Sequence, residues 1–321
     1  MNNPYRSPAL ILLLMAMVFS GCASTEQATP DVIVSNPTST IPPLPTERPT
    51  DVPEPTLPPS PTPLPGTVVI PIDSYSEGIP WLPYDPSAVP SVYYIAFNCS
   101  KPPFDNPLVR QAFAAAVDKD VLVDITVDLY ASAIFDPRPA TNVTPPEILG
   151  RDVFNEIGIR YDPASAAELL KQAGYEDSSA FPAVTILVNA TGSIAVGYNI
   201  KMADTMAEMW KDVLGVDVKV EYVENFNVYK EMLHDNQAEM IRVYWAADFN
   251  DPDNFLRTLF QTGSESNFGN FSNPEFDELV QQAAEIADPT QRQLLYLEAE
   301  RILCEQEAGA IPIYHATIDV R

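Results

Sequence analysis

From Val92 onward the apolar positions switch repeatedly between a period of two and a period near 3.6, which predicts strands alternating with helices. Val92 to Phe97 and Val184 to Val188 are short β-rich runs, and Val216, Val218 and Val220 alternate with Asp217, Lys219 and Glu221 as in a half-buried strand. Met240 to Ala246 and Ile311 to Tyr314 read as further strands. Behind Asn106, the residues Leu108, Val109, Ala112, Phe113, Ala116 and Val117 recur at helical spacing, and Leu294, Leu295, Leu297, Ala299, Ile302 and Leu303 do the same behind Asp288. Five helix starts carry one chemistry: Asn106-Pro107, Asp162-Pro163, Asp251-Pro252, Asn273-Pro274 and Asp288-Pro289. In each, a short polar side chain can accept from first-turn amides while proline occupies a position that needs no donor. Gly174 follows Ala173 where the helix after Asp162 should stop in a left-handed cap. Strand 184–188, a helix at about 199–214 and a strand at 216–222 have the length of a parallel crossover unit. The predicted class is α/β, with helices flanking a mixed sheet.

The first part of the chain follows neither period. Arg6 precedes an uninterrupted apolar run, Ala9 to Phe19, and then Ser20-Gly21-Cys22. This is the layout of a secretory signal, and the run falls short of the ~20 residues a spanning helix needs. Residues 1–21 are therefore read as a lipoprotein signal peptide, with Cys22 as the lipidated new N-terminus; Phe19 stands where leucine is usual. Ordinary cleavage near Ala23 is the alternative. From Pro30 to Gly66 there are 13 prolines and several threonines with only isolated aliphatics, so residues 22–66 read as a disordered Pro/Thr-rich tether. At roughly 3.1 Å per residue the stretch from Pro30 to Gly66 reaches on the order of 110 Å. Residues 67–321 remain for the folded domain.

Charge and cysteine count narrow the function. Asp and Glu number 44 against 18 Lys and Arg, a net charge of −26, which repels nucleic acid phosphates and anionic headgroups. With Cys22 assigned to lipid, Cys99 and Cys304 are a candidate disulfide in an oxidising compartment; two separate buried thiols are the alternative. Only His234 and His315 exist, and no HExxH, GxSxG, Walker or GxGxxG pattern occurs. Asp248 to Asp253 looks briefly like a calcium loop, but Asp253 and Leu259 stand where an EF-hand needs glycine and glutamate. The expectation is a protein that is not an enzyme, with no metal and no cofactor.

Three blocks then resemble a known family. They are YYIAFNCSKPPFDNPLVRQAFAAAVD from Tyr93, DPASAAELLKQAGY from Asp162, and a third running from Tyr244 to Tyr314 that includes YWAADFNDPDNFL, NPEFDELV, DPTQRQLLYLEAERIL and IPIY. Together, in this order, they resemble the peptide/nickel-type, family 5 solute-binding proteins of ABC importers. The resemblance implies one lobe of a type II periplasmic-binding-protein clamp that encloses a peptide or other small solute and presents it to permease subunits. It also implies that Asp248 pairs with the ligand's α-amino group, that Arg242 reaches a ligand carboxylate, and that Trp245 lines a side-chain pocket. The other readings are that Asp248 caps a turn, that Arg242 forms a surface ion pair and that Trp245 is core. Strict alternation sends Arg242 and Trp245 to opposite faces of one strand. The matched blocks cover only the family's second lobe, so a truncated domain is expected, with the missing lobe supplied by a separate chain. The expected location is the outer face of the cell membrane, extracellular or periplasmic, held there by the lipid alone. A non-transport cell-surface interaction module, or a remnant, is the alternative function.

Overall fold

The structure, a computed structural model, describes residues 88–130, 136–154, 156–190, 193–235 and 238–319. The segments read as signal peptide and tether, and Cys22, lie outside the described residues, as do the first residues assigned to the folded domain.

Six strands form one mixed sheet: β1 (Ala88–Phe97), β2 (Arg138–Pro139), β3 (Val184–Asn189), β4 (Val218–Val223), β5 (Met240–Ala246) and β6 (Ala310–Asp319). Their order across the sheet is β2-β6-β1-β5-β3-β4. β3 runs parallel to both β4 and β5, whereas β1 is antiparallel to β5 and β6. The crossover between β3 and β4 is the helix Ser193–Leu214, so the expected parallel unit is present, with its helix starting earlier than the sequence suggested.

Alternation along the central strands sorts side chains to two cores. Val92, Tyr94, Ala96, Ile241 and Val243 face one side, where they meet the helices α7 (Leu256–Phe260), α8 (Pro274–Glu285) and α9 (Pro289–Arg301). These are the last three in a chain-order count of α1 (Pro107–Ala115), α2 (Lys119–Tyr130), α3 (Pro146–Leu149), α4 (Pro163–Gln172), α5 (Ser193–Leu214) and α6 (Phe226–His234). Tyr93, Ile95, Phe97, Met240 and Tyr314 face the other side, where Phe113 of α1, Leu122 of α2, Leu170 of α4 and Trp210 of α5 pack. Trp210 is fully buried and its indole donates to the Phe113 carbonyl at 3.0 Å, so the largest side chain leaves no orphaned donor. Burial of each such residue contributes about 1.5–3 kcal/mol.

All five Asx-Pro caps accept a first-turn amide, from Leu108, Ser165, Asp253, Glu275 and Gln291 respectively. Four begin α-helices, but Asp251 begins only a 3-10 turn, Pro252–Asn254, before the chain restarts as α7. Gly174 has φ 99, the left-handed conformation expected after α4. β1 and β6 are longer than the apolar runs implied. Pro90 reads against a strand, yet within β1 its carbonyl accepts from the Ala247 amide at 2.9 Å.

Two of the buried polar side chains tie separate elements together. Glu300, fully buried on α9, accepts from the amides of Val143 at 3.0 Å and Thr144 at 2.7 Å, which ties the loop after β2 to that helix. His315 of β6 is bonded to the Asn142 carbonyl at 2.9 Å, and burial pushes its pKa down from 6.5 to about 3.

Two measurements follow. Asn273→Ala removes a cap that serves Glu275 and Phe276, and should lower the unfolding free energy by about 1 kcal/mol in urea. His315 stays neutral when folded but protonates near 6.5 when unfolded, so its contribution is complete above 6.5 and drains away as pH falls toward 3. Between about pH 7.5 and 5.5 the wild type should lose about 1.4 kcal/mol more than His315→Gln. Equal losses in the two proteins would exclude this role.

Candidate ligand-binding site

The carboxyl ends of β3, β4 and β5 point to one edge of the sheet, and β1 begins and β6 ends there. In open α/β sheets this edge is where ligands bind, because the connecting loops diverge and leave a crevice. The last rungs pair Trp245 with Val92 and Ala246 with Ser91, so Ala247 and Asp248 stand just beyond the sheet. Ser91 is buried at this edge, accepting from the Tyr244 hydroxyl at 2.8 Å and donating to the Ala316 carbonyl at 2.9 Å. This chain of bonds fastens β5, β1 and β6 together where the loop departs.

Asp248 is exposed. Among the described residues none is bonded to its carboxylate, while its backbone amide donates to Asn254 Oδ1 at 3.1 Å. The turn is capped by Asp251, not Asp248. The same Asn254 oxygen accepts from Trp245 Nε1 at 3.0 Å. The turn itself is held from below by ion pairs. Arg292 of α9 grips both oxygens of Asp251, Arg257 of α7 grips both oxygens of Asp253 at 2.6 and 2.5 Å, and the Tyr296 hydroxyl donates to Asp253 at 3.3 Å. The result is a free carboxylate on a loop whose backbone is anchored to two helices.

Trp245 and Arg242 lie on opposite faces of β5. The Trp245 side chain packs with Ile241 and Val243 toward α7–α9. Arg242 is half-buried on the other face, its guanidinium 4.6 Å from the Tyr93 ring and 5.7 Å from the Tyr244 ring. Tyr198 and Tyr314 close the same cluster, bonded to each other at 2.9 Å. Among the described residues no carboxylate pairs with Arg242, and its Nε has no hydrogen-bond partner. The expected site residues therefore divide into an Asp248–Trp245 group and a separate Arg242–tyrosine group.

The structure leaves Cys99 and Cys304 as free thiols and forms no bridge between them. Cys304 Sγ donates to Glu300 at 3.5 Å and Cys99 Sγ to the Phe97 carbonyl at 3.5 Å. Burial raises both thiol pKa values, that of Cys99 to about 11, which removes thiolate character at neutral pH. Asn254 and the tyrosine cluster are not marked by any sequence motif. The one available signal for Asn254 was a polar residue directly before the buried pair Phe255-Leu256.

Comparison with known proteins agrees with this architecture. Residues 70–267 match the description "Bacterial extracellular solute-binding proteins, family 5 Middle". The oligopeptide-binding protein OppA of Bacillus subtilis is 30% identical over 252 residues, covering 75% of this chain and 44% of that protein. A probable deoxycholate-binding periplasmic protein of Escherichia coli, YgiS, is 33% identical over 228 residues, covering 69% of this chain and 39% of its own. The structure of the Escherichia coli murein tripeptide binding protein MppA superposes with a TM-score of 0.61 at 27% identity, covering 73% of this chain and 45% of MppA. The chain thus spans less than half the length of these relatives. A mixed sheet clad by helices on both faces and the match over residues 70–267 place this chain among the bacterial extracellular solute-binding proteins, family 5.

Proposed function

We propose that this lobe carries the amine-binding side of a clamp that captures short peptides outside the membrane and hands them to the permease of an ABC importer. The observation that supports this most is the Asp248 carboxylate, exposed and unbonded among the described residues, on a loop whose backbone is fixed. A carboxylate held this way is pre-organised for a cationic amine, since little ordering remains to be done on binding. Trp245, whose indole donates to the Asn254 oxygen that also holds the Asp248 amide, supplies an apolar wall beside it. The ligand's carboxylate is assigned to Arg242, a cation with aromatic contacts but no anion among the described residues. Cys22, lipidated, tethers the lobe to the membrane surface through residues 22–66, on the extracellular or periplasmic side.

Relatives named for oligopeptides and for a murein peptide support a peptide ligand. The relative named for deoxycholate is the contrasting case, because that ligand offers a carboxylate and no amine. The surface that closes over the ligand in a clamp lies outside the matched region, so this lobe alone leaves its ligand open to water and binds weakly.

Titration of the ¹⁵N-labelled full chain with trialanine tests the assignment. Shifts should centre on Asp248 and Trp245, and Asp248→Asn should weaken binding by at least about 1 kcal/mol. Deoxycholate binding should be indifferent to that substitution. Trialanine affinity unchanged by Asp248→Asn would remove the carboxylate from the site, and binding of deoxycholate alone would replace the peptide reading.

A further inference from the structure

We infer that Asn254 is the positioning residue of this site: its one amide oxygen holds the Trp245 indole and the Asp248 backbone in a single register, and so fixes where the Asp248 carboxylate stands. The inference rests on the reading that Asp248 receives the ligand's amine. Asn254 itself is 1% exposed, so it acts from beneath the surface. Its action is through two donors that lie three residues apart on the neighbouring segment.

Three observations carry this. First, the oxygen is shared: it accepts from Trp245 Nε1 at 3.0 Å and from the Asp248 amide at 3.1 Å. A side chain at the end of β5 and a backbone group beyond it are thereby locked to one atom. Second, Asn254 Nδ2 is buried without any partner. A buried donor left unbonded costs stability, so the amide is not explained by its own satisfaction. An apolar residue of the same size would relieve that cost; what it could not supply is the acceptor. Third, the residue sits on an immobilised support. Asp251 and Asp253 on the same turn are each gripped by an arginine, and Thr258 Oγ1 donates to the Asp253 carbonyl at 3.2 Å. An oxygen on that support transmits the fixed position of α7 and α9 to the loop.

The orientation of the amide is unambiguous, because both neighbours of the oxygen are donors; exchanging oxygen and nitrogen would set donors against donors. Asn254 is committed toward β5, and the following residues Phe255 and Leu256 turn into the core.

Asn254→Leu keeps the branched outline and removes the acceptor, whereas Asn254→Asp keeps the acceptor. In the ¹⁵N-labelled full chain, Asn254→Leu should strip hydrogen-exchange protection from the Asp248 amide and the Trp245 indole, the latter assigned with Trp245→Phe. Its trialanine dissociation constant should rise about tenfold, as for loss of ordering hydrogen bonds. Asn254→Asp should restore protection and bring affinity to within about threefold of wild type. A general structural role would weaken both variants alike, so equal weakening with protection retained overturns the inference, as does an unchanged Asn254→Leu. If Asn254→Leu does not fold, Asn254→Ala takes its place with the same expectations. If the wild type does not bind trialanine, the Asp248 reading fails, and exchange decides alone on Asn254. Protection lost in Asn254→Leu and kept in Asn254→Asp upholds the shared register; protection kept in both overturns it.

Discussion

The antiparallel pairing of β1 with β5 is the constraint on which the rest of this lobe depends. It fixes the register from Phe97 opposite Met240 to Ser91 opposite Ala246, and with it the face to which every central side chain points. Because side chains alternate, a slip of one residue would exchange the two cores and bring Arg242 under α7–α9. Because the ladder ends at Ala246, it also sets the point where the backbone leaves the sheet and Asp248 begins to be available. The position of the candidate site is thus a consequence of strand register before it is a matter of any side chain.

A second layer of control comes from charge. In so acidic a chain, the arginines nearest the site are spent on particular carboxylates: Arg292 on Asp251 and Arg257 on Asp253. These pairs are only partly exposed and bind both carboxylate oxygens, so they order the turn more than an exposed surface pair would. Asp248, six residues before Asn254, has no such partner among the described residues. Arg242 is the mirror case, a cation held by aromatic faces in place of an anion. Asp248, just beyond the end of β5, and Arg242, within it, are thus a carboxylate and a cation with no ion-pair partner among the described residues.

Much of this was legible from the sequence where one physical rule dominates. Asx-Pro pairs announced five helix starts, of which four hold and the one at Asp251 opens only a 3-10 turn, since capping depends on two adjacent residues but continuation of a helix does not. Alternation correctly divided Arg242 from Trp245. β1 was shortened in prospect because Pro90 and Ser91 belong to it only through partners on β5 and β6, more than a hundred residues away. Glu300 sits among the apolar positions of α9, and its reason, the amides of Val143 and Thr144, exists only in three dimensions. Asp248 was reached by family resemblance, whereas Asn254, which holds it, is visible only once β5 and the 3-10 turn are brought together. The sequence leaves the pairing of Cys99 with Cys304 open for the same kind of reason, as spacing carries no information on which groups the two thiols face.

The central claim is that this edge recognises a positively charged amine. It is tested most directly by comparing trialanine with N-acetyl-trialanine on the wild-type chain, since acetylation removes the charge and leaves the rest of the peptide. The account predicts that the acetylated peptide binds at least about tenfold more weakly, as expected for loss of a charge-assisted bond. Equal affinity for the two peptides would contradict it.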